Sequence, residues 1–66
     1  MKLSGLERTK AISDDIIRYR ARHNLNQQEF ANICGLTVQT VNAIEACRHG
    51  ITKLTEAKIR QVIEAD

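Results

Sequence analysis

The chain contains no proline and no tryptophan, one phenylalanine, one tyrosine and two cysteines. With so few aromatics among 42% apolar residues, the core must be built from Ile, Leu, Val and Ala, a composition that suits a small all-α packing better than a sheet. Cys34 and Cys47 are too few for a disulfide framework. No Gly-rich phosphate loop is present and the two histidines offer no nucleophile–base pair, which argues against an enzyme. No run approaches the roughly 20 apolar residues of a membrane span and no segment resembles a secretory signal. The cytoplasm, with reduced thiols and no membrane partner, is the expected compartment. His23, Cys34, Cys47 and His49 lack a Cys-x-x-Cys knuckle, so neither a metal nor another cofactor is expected. Cys47, beside Arg48 and His49, reads as an ordinary free thiol rather than a redox sensor.

What is present fits one domain. A chain of 66 residues buries only about 60% of the surface its unfolded form exposes, so self-association is the expected support. The formal net charge of +2 says little about partners, but its distribution is uneven. Arg18, Arg20 and Arg22 crowd one stretch; Arg48, His49 and Lys53 sit around a later break. Alternate residues on a helix do not share a face, so the first group reads as solvated surface with one inward Arg.

Residues 1–12 form either a mobile basic arm carrying Lys2, Arg8 and Lys10 or a short helix capped by Ser4 and Glu7. Residues 13–66 form the domain proper. Ser13, followed by Asp14 and Asp15, reads as the cap of a helix running to about His23, with Ile12, Ile16 and Tyr19 on one face. Asn24 breaks the pattern, and Asn26 caps a short second helix whose inward residues are Phe30, Ala31 and Cys34. Gly35 is placed for a left-handed turn, and Thr37 caps a third helix with Val41 and Ile44 inward. After a break at Gly50, Thr52 or Thr55 caps a last helix with Leu54, Ala57, Ile59, Val62 and Ile63 as its apolar surface. The expectation is four to five helices.

Two short helices joined by the three-residue turn Gly35-Leu36-Thr37 are a helix-turn-helix at about residues 27–46. Ala31 allows a close crossing, Gly35 tolerates positive φ, and Phe30, Cys34, Leu36, Val41 and Ile44 lock the pair from inside. On "RARHNLNQQEFANICGLTVQTVNAIEA" the sequence resembles the lambda-repressor-like family of DNA-binding domains, the Cro/cI or XRE type, over residues 16 to about 63. The resemblance implies a compact lambda-repressor-like fold and a stand-alone Cro-like phage or prophage repressor. It also implies an ion pair between Arg20 and Glu45 that ties the first helix to the third and reads no DNA.

The outward set of the third helix gains a purpose in that setting. Gln and Asn can bond base edges bidentately, and Val or Thr methyls pack on the thymine methyl, so Val38, Gln39, Thr40, Asn42 and Ala43 are the expected base-facing residues. By resemblance, Asn26, Gln27 and Thr37 meet phosphates on one side, and Arg48, His49 and Lys53 meet them on the other. The expected partners are a double-stranded DNA operator and a second copy of the chain, as a homodimer at least on DNA.

The sequence departs from the family pattern in the 46–51 loop. Cys47 replaces the usual Gly and Ile51 the following Pro, so the third helix is expected to end differently, with Gly50 as the left-handed residue. By the same resemblance no room is expected for the fifth helix that often builds the dimer contact, and Ile17, Ile63, Leu3 and Leu6 are expected either to take that role or to complete the core. The alternative reading is a protein-interaction module, an antitoxin or antirepressor on the same scaffold.

Overall fold

The computed structural model describes residues 5–48 and 50–65, with side chains from Glu7 onward. Four helices follow in order: α1 Gly5–His23, α2 Gln27–Cys34, α3 Val38–Glu45 and α4 Lys53–Glu64. Among the described residues there is no strand, and no helix is long and apolar enough to cross a membrane. Leu3, Ser4 and His49 lie outside the described residues, as does the side chain of Leu6.

The core takes Ile12 and Ile16 from α1, Phe30, Ala31 and Cys34 from α2, Val41 and Ile44 from α3, and Ile59 from α4. Tyr19, Leu36, Ile51, Val62 and Ile63 close it from the side. Tyr19 sets its ring edge against Phe30, with centroids 5.7 Å apart. The expected inward residues of α2 and α3 are all buried.

α1 differs from expectation at its start. The helix runs unbroken from Gly5 to His23, so Ser13 caps nothing. Instead, buried Thr9, Ile12, Ser13 and Ile16 form one stripe at helical spacing, and the Ser13 hydroxyl donates to the Glu45 carbonyl at 3.1 Å. Thr9, also fully buried, accepts the Ile51 N–H at 3.1 Å. A proline at position 51 would have no such donor; the isoleucine supplies one and pins the α3–α4 loop to α1.

The first three helices end by one device. In each case a left-handed residue follows the helix, its own N–H bonds three residues back, and the next N–H bonds five residues back. After α1 the residue is Asn24 (φ 56), with Leu25 N–H donating to Arg20 O at 2.9 Å. After α2 it is Gly35 (φ 73), with Leu36 N–H on Ala31 O at 2.8 Å. After α3 it is Cys47 (φ 54), with Arg48 N–H on Ala43 O at 3.0 Å. The expectation for Gly50 is therefore corrected: Cys47 takes the left-handed conformation, because the two closing hydrogen bonds require it there.

α4 is capped by Thr52, whose hydroxyl accepts the Thr55 N–H at 3.2 Å. Leu54 corrects a second expectation, being 69% exposed, and Ala57 is exposed as well. Ile17 is 46% exposed, whereas Ile63 packs on the core. Arg60 bonds Asp15 at 2.8 Å and Arg8 bonds Glu56, so α4 is tied to α1 by ion pairs at the rim.

Candidate nucleic-acid interface

α2 and α3 are each capped by a side chain at the N-terminus and closed by backbone hydrogen bonds at the C-terminus. The Asn26 side chain accepts the Glu29 N–H at 2.7 Å while the Glu29 carboxylate accepts the Asn26 N–H at 2.9 Å, a reciprocal capping box. Thr37 caps α3 by accepting the Thr40 N–H at 3.2 Å. At the other end of α3, the last four carbonyls, which a helix cannot satisfy internally, all find donors. Those of Asn42, Ala43 and Ile44 take the N–H groups of Ala46, Arg48 and Cys47, and that of Glu45 takes the Ser13 hydroxyl. An eight-residue helix with every terminal carbonyl paired is a firm platform for its outer face.

α3 is tied to α1 by charge. Arg20 Nη1 lies 2.9 and 2.8 Å from the two oxygens of Glu45, and Arg20 Nε donates to the Leu25 carbonyl at 3.2 Å. Side-chain exposures of 22% and 11% place the pair largely out of water, where losing one partner strands the other. Arg18 projects outward and pairs with Asp15 at 2.9 Å, leaving Arg20 as the inward member of the cluster.

The outer face of α3 opens on a shallow groove of about 410 Å³ lined by Gln27, Val38, Gln39, Asn42, Ala43 and Arg48. Gln39 and Asn42 are exposed; Val38 and Ala43 are half-buried and supply its apolar part. Inside it, Gln27 Nε2 donates to Glu45 at 3.1 Å, Asn42 Nδ2 donates to Gln27 Oε1 at 3.3 Å, and Arg48 donates to Asn42 Oδ1. A two-helix unit with a three-residue turn, locked from inside and presenting amides from its second helix, has the shape of a major-groove reader.

A family model described as helix-turn-helix matches residues 16–63. The chain belongs to the Cro/cI (XRE) type of helix-turn-helix. It is a DNA-binding helix-turn-helix regulator with an all-α, lambda-repressor-like domain. Comparison with curated proteins and with solved structures returned no match.

Four of the five expected base-facing residues of this helix-turn-helix, Val38, Gln39, Asn42 and Ala43, line one groove. Thr40 stands apart: its hydroxyl is 2.9 Å from that of Thr37, and it lines a neighbouring cleft with Ile44, Ile51, Thr52 and Thr55. The expected phosphate set divides as well. Asn26 and Thr37 spend a side-chain oxygen on their caps, Lys53 is exposed at the first turn of α4, and Arg48 and Gln27 border the groove. His49 lies outside the described residues. Sequence reasoning missed the bonds of Ser13 and Thr9 and the bridging position of Gln27; the only signal for the first two was a pair of hydroxyls in phase with Ile12 and Ile16.

The buried Cys34 thiol is pushed up to about 11 by desolvation, which keeps it protonated and inert at neutral pH.

Proposed function

We propose that this protein is a Cro-like transcriptional repressor that binds a pseudo-palindromic operator as a homodimer, laying α3 of each copy in the major groove. The observation that carries this reading is the groove itself, where Gln39 and Asn42 stand exposed beside the half-buried Val38 and Ala43. Exposed amides next to small apolar groups match base edges and thymine methyls, the chemistry that distinguishes one base pair from another. Gln39, Asn42, Val38 and Ala43 are the base-reading residues, with Thr40 at their margin.

Affinity comes from the flanks. Asn26, Gln27 and Thr37 meet one phosphate strand, helped by the free N–H groups of the α2 and α3 N-termini; Arg48, His49 and Lys53 meet the other. So few cations make one copy a weak binder, and a second copy on a half-site about one helical turn away supplies the remainder. Arg20 and Glu45 keep α3 in place and touch no base. No cofactor enters this scheme.

Random-oligonucleotide selection with the purified protein at near-physiological salt tests the proposal. A recovered pseudo-palindrome, bound by two copies, is the expected result. Absence of enrichment from a folded protein would overturn it and favour a protein-interaction module.

A further inference from the structure

Five side chains form one hydrogen-bonded row across the interface: Arg20 to Glu45, Gln27 to Glu45, Asn42 to Gln27, and Arg48 to Asn42. The row has a direction fixed by chemistry. A guanidinium only donates and the Glu45 carboxylate oxygens accept, so the Gln27 atom 3.1 Å from Glu45 must be its NH₂. Its Oε1 then faces Asn42, and the Asn42 atom 3.3 Å away must again be NH₂. That leaves Asn42 Oδ1 toward Arg48, another obligate donor. Flipping either amide would set acceptor against acceptor or donor against donor.

We infer that Gln27 is a positioning residue for base reading, fixing which side of the Asn42 amide presents its acceptor and which its donor to adenine. The inference rests on the proposed major-groove role of α3. Asn42 uses one hydrogen of its NH₂ on Gln27 and retains the other, and Oδ1 keeps a lone pair beyond the Arg48 bond. Adenine presents N6–H₂ and N7 in the major groove, the complement of that pair. Gln27 thus does more than meet phosphate: it carries the rigidity of the Arg20–Glu45 pair outward to a base contact. Without it, the Asn42 amide is held against rotation only by the exposed Arg48 side chain.

The test compares base preferences of wild type, Gln27→Met, Asn42→Ala and the double variant by selection and by competition among operator variants, each variant checked for an unchanged melting transition. Gln27→Met keeps the side-chain length and removes both hydrogen-bonding groups; Gln27→Ala serves as a second variant if methionine disturbs packing. The expected result is a loss of about tenfold in discrimination at the single base pair that Asn42→Ala also relaxes, with no further loss there in the double variant. A Gln27→Met protein that loses affinity evenly, with its base preferences intact, would overturn the inference and leave Gln27 a phosphate contact alone. A wild type that selects no sequence would overturn both this inference and the reading beneath it.

Discussion

Cys47 holds a backbone conformation, φ 54, that L-residues adopt at a cost of about 1–2 kcal/mol and glycine adopts freely. Cys47→Gly should therefore raise stability by about 1 kcal/mol, a rise of several degrees in Tm for a chain this short, measurable by thermal unfolding. An unchanged or lower Tm would mean the cysteine side chain contributes packing that offsets its backbone cost. Cys34 makes a different prediction. Its folded pKa of about 11 lies above the ordinary thiol value of 9.0, so below pH 9 the thiol is protonated in both states and adds no slope. Between pH 9 and 11 the unfolded chain releases a proton that the folded chain keeps, and stability falls as pH rises. Cys34→Ala should show a shallower decline over that window in denaturant unfolding. Asn26, Gly35 and Thr37 were legible in the sequence because a cap or a left-handed turn is a local demand. Ser13 was not, because a serine before two aspartates looks like a cap wherever it stands, and only the distant Glu45 carbonyl explains its burial.

α2 and α3 have eight residues each, well under the roughly 12–15 at which an isolated helix becomes even marginal in water. Their existence rests on caps and on burial against α1. Asn26→Ala should cost about 1 kcal/mol by loss of the capping box. Gly35→Ala should cost a similar amount for a purely conformational reason: a Cβ there meets nothing within 4 Å, so φ 73 alone opposes it. Chemical denaturation of both variants checks these values, and a Gly35→Ala cost of several kcal/mol would point to a steric conflict instead. Arg20→Ala should destabilise by about 2–3 kcal/mol, less than a fully buried pair because both side chains keep some exposure. Helix order and the inward faces of α2 and α3 were readable from periodicity. The face of α4 was read too broadly, since Leu54 lies five residues before Ile59, about 140° around the helix, and so points away from the core. The loop after α3 misled because its left-handed position is set by backbone hydrogen bonds and the sequence shows only a cysteine there.

At the scale of the molecule, a formal charge of +2 and a radius of gyration of 10.9 Å describe a small, weakly basic body with few cations to spend on phosphate. Binding should therefore depend on salt modestly per copy, and Lys53→Ala should weaken all sequences alike while reducing the salt slope by about one ion. A loss confined to one base pair would instead make Lys53 a reader. Sequence alone carried the helix-turn-helix, and it put Val38, Gln39, Asn42 and Ala43 on one outward face, where they line the groove. It did not carry the row from Arg20 to Arg48, because five side chains from three helices and a loop become neighbours only when the fold is complete. The central claim is that the outer face of α3 reads sequence while the rest of the molecule supplies shape and affinity. It is tested most directly by the ratio of affinities for a selected duplex and a scrambled one, measured by fluorescence anisotropy for wild type and Gln39→Ala at fixed salt. The account predicts a ratio that falls by roughly tenfold in the variant, with Tm and scrambled-duplex affinity nearly unchanged. An unchanged ratio in a folded variant that still binds DNA would contradict it.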